Sequence, residues 1–181
     1  EKIDTLRSLY IVSYKSKTKN LQTLFSSRNL QQLIMVMGNQ KSLDGIEKSE
    51  KLQILYLYYA RSLQDISALE KVKKTLKVLC LNHCPKIEDY SVLEKMENFQ
   101  TLMIYGNHKI SDIQFISKIK SLKRFRFSVN ILDGDLSPCL KLEEATSMTN
   151  RKHYNLKDEE LPKNYDCPFG NEGIEEWMLY W

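Results

Sequence analysis

Three residues near the middle of the chain have the types and the close spacing of metal ligands. Cys80, His83 and Cys84 follow one another within a short stretch, and thiolate sulfur with imidazole nitrogen is the ligand chemistry of zinc sites. Successive side chains of a β-strand point to opposite faces. If a strand runs through Leu79 and Leu81, Cys80 faces away from the leucines, whereas Cys84, which closes the motif after the strand, faces inward with them. Because zinc needs its ligands around one point, we expect no metal site here.

Other arrangements of catalytic residue types are sparse. The four cysteines lack the spacing of a disulfide framework, and no glycine-rich phosphate loop or nucleophile motif is present. Two acidic clusters, Glu143 with Glu144 and residues 158–160, lie in polar segments and are expected to face solvent. His108 and His153 are also expected in solvent-facing loops. The sequence therefore predicts a non-catalytic protein without a cofactor.

The leucines around these residues recur at a nearly constant step. One unit opens with Leu76, Leu79 and Leu81 and closes at Cys84, and the pattern returns from Phe99 at a step of 23 residues. Copies begin near residues 6, 30, 52, 76, 99 and 122, and a degenerate seventh spans 142–145. A fixed step of about 20–30 residues is typical of stacked-repeat proteins. We therefore predict parallel strands at these positions.

The pattern L-x-x-L-x-L-x-x-N/C-x-L resembles that of the leucine-rich-repeat family. The resemblance implies an α/β solenoid, a right-handed β-α superhelix with a parallel sheet on the concave face and short helices or 3-10 turns on the convex face. We expect about six repeats in residues 1–145, with residues 146–181 as an extension that caps the last repeat. Two interpretations remain open for the aromatic end from Trp177 to Trp181, a cap or a partner contact.

Two sets of polar residues have predicted structural roles. The position that closes each strand motif should point inward and bond backbone groups of neighbouring turns, as a ladder, since buried backbone groups need partners. Gly38 and Ala60 cannot contribute, so we expect the ladder to be broken in the first half. The ladder residues are Cys84, Asn107 and Asn130. The convex helices are expected to begin at N-cap aspartates, which are Asp65, Asp89, Asp112 and Asp135.

The residues between the inward leucines should face the concave side, and many of them are apolar. A contiguous exposed apolar area usually marks a partner site, and Tyr, Met and Arg are enriched in interface cores. Strand propensity alone is the alternative explanation. The predicted partner-binding residues are Tyr10, Ile34, Tyr56, Tyr58, Tyr59, Val78, Met103, Tyr105, Arg124 and Arg126.

We expect the partner to be a protein rather than a nucleic acid or a membrane. The net charge of +4 is small for 181 residues, and most surplus lysines fall in the loops that enter the strands. No apolar run approaches the roughly 20 residues of a membrane span. The segment from Leu6 already has a strand pattern, so we expect no signal peptide, although a leader removed before Glu1 remains an alternative.

A second resemblance lies towards the C-terminus. Residues 133–138 (DGDLSP), 150–155 (NRKHYN) and 161–163 (LPK) resemble the C-terminal part of small bacterial leucine-rich-repeat proteins found beside polymorphic secreted toxins. That resemblance implies a cytoplasmic immunity protein that binds its toxin in the concavity, as a monomer or in a 1:1 complex. An internalin-like surface adhesin or an intracellular scaffold is the alternative.

Overall fold

A computed structural model describes residues 5–24 and 28–164 of the chain. Its main feature is a seven-stranded parallel sheet with the strand order β1-β2-β3-β4-β5-β7-β9, and β6 pairs with β8 in a second, two-stranded sheet. The strands are β1 Ser8–Val12, β2 Gln32–Val36, β3 Ile54–Tyr58, β4 Val78–Asn82, β5 Thr101–Tyr105, β6 Lys109–Ile110, β7 Arg124–Phe127, β8 Asn130–Ile131 and β9 Glu144–Ser147.

The register of the sheet places equivalent repeat positions side by side. Leu55 of β3 pairs with Leu33 on one side and with Leu79 on the other, and Leu102 pairs with Phe125. The inward side chains therefore stack in columns and form the main core. The six predicted strands are confirmed, and the degenerate seventh is β9, which continues to Ser147 across the boundary predicted at residue 145. The leucine-rich-repeat solenoid fold is thus as the sequence predicts.

Short 3-10 helices return the chain between strands, and neighbouring helices contact one another. The aspartates that precede them lie one residue earlier than an N-cap. Asp65 Oδ1 accepts the Ser67 N–H at 2.7 Å, while the residue next to the helix is Ile66. This is an Asx turn, in which the side chain bonds the backbone two residues on, and Asp89, Asp112 and Asp135 make the same bond. The helices are Ile46–Lys48, Ser67–Val72, Ser91–Lys95, Gln114–Lys118, Ser137–Lys141 and Asp158–Glu160.

The predicted ladder has a different form in the structure. Cys84 is buried, and its Sγ donates to the Leu57 carbonyl oxygen at 3.6 Å. Asn107 is exposed, so its predicted inward position is wrong. The reason is the preceding Gly106, whose φ of 134° departs from the φ of 55–57° at the equivalent positions and turns the chain differently. Asn130 is half-buried, and its Oδ1 lacks a hydrogen-bond partner in the described part of the chain.

At Gly38, which has no side chain to contribute to the ladder, a neighbouring side chain fills the space. A Cβ atom at Gly38 would lie only 1.9 Å from Oε1 of Gln40, so the Gln40 amide occupies the space of the missing residue-38 side chain. Gln40 is fully buried, and neither of its amide atoms has a partner among residues 5–24 and 28–164. The ladder is therefore broken at Gly38, as the sequence predicts, because Gln40 fills the space without making a hydrogen bond there.

Residues after β9 cover the outer edge of the sheet. The Ala145 N–H donates to the Pro162 carbonyl oxygen at 2.8 Å, and the Ser147 N–H donates to Asp158 Oδ1 at 2.7 Å. Lys163 Nζ donates to the Ala145 carbonyl oxygen at 3.0 Å. An open strand edge would otherwise expose these backbone groups. The C-terminal segment therefore protects the last strand as far as it is described. Residues 177–181, for which a cap or a partner contact was expected, lie outside the described residues.

Tyr154 and Asn155 also form hydrogen bonds with the backbone that precedes the helix Ser137–Lys141. The Tyr154 hydroxyl donates to the Val129 carbonyl oxygen and accepts the Ile131 N–H, both at 3.1 Å. Asn155 Oδ1 accepts the Leu136 N–H at 2.8 Å. No helix within the described ranges is long and apolar enough to cross a membrane.

Candidate protein-binding face

The predicted partner-binding residues come together in rows on the concave face. Strand pairing sets Tyr10 beside Ile34, Ile34 beside Tyr56, and Tyr56 beside Cys80. The row continues through Met103 to Arg126. A parallel row carries Val12, Val36, Tyr58, Asn82 and Tyr105. Cys80 belongs to this face while Cys84 belongs to the main core, so the prediction that they point to opposite sides is confirmed.

The centre of this face is more deeply packed than the sequence suggests. Tyr56, Cys80 and Met103 are buried, and Tyr58 and Tyr105 are half-buried against them. Strands about 4.8 Å apart bring large side chains of one row into mutual contact. Burial raises the pKa of Tyr56 to about 12 and also raises the pKa of the Cys80 thiol, so both groups are neutral near pH 7. The centre is therefore apolar and unreactive.

Exposed apolar side chains lie at the N-terminal end of the face instead. Tyr10 and Val12 on β1 are 49% and 53% exposed, and Met37, directly after β2, is 55% exposed. Val12 and Met37 were not among the predicted site residues. The repeat alignment could have identified both as candidate site residues, since Val12 aligns with Tyr58 and Met37 aligns with Tyr59. The apolar surface open to a partner therefore begins at β1.

At the opposite end, Arg124 and Arg126 form a buried charge cluster rather than free polar anchors. The Arg126 Nε and Nη2 atoms lie 2.8 and 2.7 Å from Glu144 Oε1, and Arg124 Nε lies 3.6 Å from Glu144 Oε2. Glu144 is buried, whereas Glu143 is exposed and pairs with a surface lysine. The expectation that both glutamates face solvent is wrong for Glu144, because strand β9 points it at the two arginines.

A ridge of side chains in left-handed backbone conformation borders the face where the strands end. Met37, Tyr59 and His83 have φ of 57°, 55° and 55°, values that non-glycine residues rarely adopt. Each N–H donates to a carbonyl oxygen of the next strand, for example from Tyr59 to Asn82 at 2.7 Å. The Tyr59 and His83 rings stack, with centroids 4.7 Å apart. Tyr59 therefore lies on this ridge rather than on the sheet face.

The described residues include no group of three His, Cys, Asp or Glu side chains placed to hold a metal ion. Cys84 and Cys139 are buried, and burial raises the pKa of each thiol to about 12. Thiols with such a pKa are inert as nucleophiles near neutral pH. His153, expected in solvent, is exposed, although its Nε2 lies 2.9 Å from the Ile131 carbonyl oxygen.

Comparison with known proteins adds one structural likeness. No protein-family model matches the sequence, and no curated protein matches it at a significant level. Among solved structures, an internalin (inlF) from Listeria monocytogenes superposes with a TM-score of 0.54 at 22% sequence identity. The match covers 72% of this chain and 44% of the internalin chain, so this chain spans less than half of that protein. At this identity the likeness supports the leucine-rich-repeat fold.

Proposed function

We propose that this chain is a non-catalytic protein-binding module that docks its partner on the concave face. The observation that carries the proposal is the composition of that face. Side chains such as Tyr10, Val12 and Tyr58 line a sheet surface that would carry polar groups if only water touched it. Seven strands spaced about 4.8 Å apart give a face roughly 29 Å wide, which is enough for a standard interface of about 800 Å² on one partner.

The partner class we propose is the catalytic domain of a bacterial toxin, which would make the chain a cytoplasmic immunity protein. The resemblance of residues 133–138, 150–155 and 161–163 supports this class. In the structure these segments lie at the C-terminal end of the solenoid, where Asn155 bonds the Asp135 and Ser137 side chains. Binding on the concave face would block the toxin by covering its surface, and this chain would catalyse no reaction.

The alternative function is a surface adhesin, and the structural likeness to an internalin supports it. Both functions use the same face and differ in the partner. An adhesin binds the exterior of a target cell, whereas an immunity protein restores growth to a cell that makes the toxin.

Growth rescue tests the proposed function directly. The chain is co-expressed with the product of each neighbouring open reading frame, and we expect it to relieve the toxicity of one of them. Tyr10→Lys with Val12→Lys should abolish rescue, because two ammonium groups would replace exposed apolar contacts. Leu132→Lys with Leu140→Lys is the matched control, because these side chains are equally exposed outside the concave rows. Rescue by the wild type, the concave-face variant and the control variant alike would contradict docking on the concave face. Binding of target cells without rescue would favour the adhesin.

A further inference from the structure

A set of basic residues follows the strands on the side of the ridge of Met37, Tyr59 and His83. One exposed basic side chain comes three to five residues after the end of each of the first five strands, four of them in loops and Lys109 in β6. None of them forms an ion pair with any residue of the described part of the chain. We call this set the basic rim. Its members are Lys15, Lys41, Arg61, Lys86 and Lys109.

The opposite rim, where the strands begin, has a different charge arrangement. There the lysines of successive repeats pair with glutamates, as Lys95 does with Glu70 at 2.8 Å and Lys118 with Glu94 at 2.9 Å. Ion pairs between repeats therefore occur at the opposite rim, which also carries lysines such as Lys71 that form no ion pair with a described residue. The aspartates nearest the basic rim, such as Asp65, already accept backbone N–H groups at the starts of the convex helices.

In the ridge beside the basic rim, exposed Met37 and half-buried Tyr59 and His83 share an unfavourable backbone conformation. Left-handed φ is disfavoured for residues with a Cβ atom, and such conformations cluster at functional sites. The equivalent position is Ser13 in the first repeat and Gly106 in the fifth, whereas the three repeats between them have Met37, Tyr59 and His83. The Arg61 guanidinium carbon lies 6.0 Å from the centre of the Tyr59 ring, which joins the rim to the ridge. Large side chains at these positions are explained if they contact a partner.

We propose that the basic rim and its ridge bind an acidic segment on the surface of the protein partner. This inference rests on the proposed function and specifies the chemistry of the partner. Exposed cations that form no ion pair with a described residue, at the edge of an apolar face, favour carboxylates that flank apolar residues. The members are not in strict register, because the Gln64 and Asp65 N–H groups donate to the Lys41 carbonyl oxygen and so place Lys41 beside Gln64 rather than Arg61. A nucleic acid fits less well, since a strand-binding groove combines dense positive charge with several stacking rings, whereas Tyr59 and His83 stack on each other.

A displayed library of random peptides tests the proposal without knowledge of the partner. Peptides of about 12 residues span roughly 40 Å when extended, which exceeds the length of the rim. The immobilised chain should enrich peptides with an excess of Asp and Glu beside apolar residues. Their binding should weaken about tenfold or more between roughly 0.05 M and 0.5 M salt, because the ion pairs are exposed.

Two variants with equal changes in net charge provide the control. Lys41→Glu with Arg61→Glu and Lys86→Glu reverses the basic rim, and we expect a loss of about tenfold or more in peptide affinity. A variant of the opposite rim makes the same change in net charge at exposed lysines without ion pairs, and it should bind normally. Its substitutions are Lys71→Glu, Lys74→Glu and Lys120→Glu.

The ridge is tested by Tyr59→Gly with His83→Gly. Glycine relieves the left-handed backbone, so the variant should keep the wild-type melting temperature to within a few degrees while peptide affinity falls. The proposal would be overturned if no peptides were enriched or if the enriched peptides had no excess of acidic residues. It would also be overturned by equal loss of affinity in the two charge variants, or by tighter binding of a single-stranded oligonucleotide than of the peptides. Growth rescue that fails with Tyr10→Lys and Val12→Lys but survives reversal of the basic rim would refute this inference alone.

Discussion

Replacing Glu144 with glutamine is expected to lower the free energy of unfolding by about 3 kcal/mol, because removing one partner of a buried ion pair leaves an uncompensated charge. Only 6% of the Glu144 side chain and 10% of the Arg124 side chain are exposed, so water cannot replace the lost carboxylate at Arg124. Arg126 is more exposed and can turn towards solvent. Chemical denaturation of the two proteins measures the difference.

The neighbouring glutamate provides the control for this substitution. Glu143 pairs with Lys123 at 2.9 Å, but nearly half of each side chain is exposed. Exposed pairs contribute about 0–1 kcal/mol, so Glu143→Gln should change stability by no more than that. Equal, small losses for both substitutions would show that the Glu144 carboxylate is solvated in solution.

The combined replacement of Tyr58 and Tyr105 by alanine is expected to weaken partner binding at least tenfold, since truncated aromatic anchors often cost 2 kcal/mol or more. Both side chains are half-buried at the edge of the concave cluster, and burial raises the pKa of both hydroxyls, so they remain neutral. The main core lies on the other side of the sheet, so the circular-dichroism spectrum should stay native. Calorimetry with the purified partner found by growth rescue gives the affinity.

A second aromatic truncation separates lost contacts from lost stability. Phe115 is buried on the convex side and stacks on Tyr90 with ring centroids 5.2 Å apart. We expect Phe115→Ala to lose about 3 kcal/mol of stability and to keep its affinity below the melting temperature. If Phe115→Ala weakened binding as much as the double replacement, the concave face would have no special role.

The repeat spacing predicted the architecture because one local pattern determines each strand. Leu76, Leu79 and Leu81 must share a face of a strand, and their copies at equal steps must stack. The opposite directions of Cys80 and Cys84 depend also on the end of the strand at Asn82 and on the left-handed His83, because alternation alone would put both cysteines on one face. The type of the convex turns did not follow, since aspartates suit both N-caps and the Asx turns observed.

The errors occur where a side chain's environment comes from another repeat. Glu144 looks like its exposed neighbour in sequence, and only the pairing of β9 with β7 places it beside two arginines. Asn107 follows a glycine whose backbone differs from that of the other repeats. The mutual burial of Tyr56, Cys80 and Met103 likewise depends on side-chain sizes in three adjacent strands.

Site-specific photo-crosslinking in the source cell tests most directly that the concave face is the docking surface. A photoreactive phenylalanine analogue replaces Tyr10, Tyr58 or Tyr105 on the concave face, or exposed Ser117 in a convex helix, and covalent adducts are identified by mass spectrometry. The three concave positions are predicted to capture the same protein, and the convex position none of it. Capture from position 117 in place of the concave positions would contradict the account.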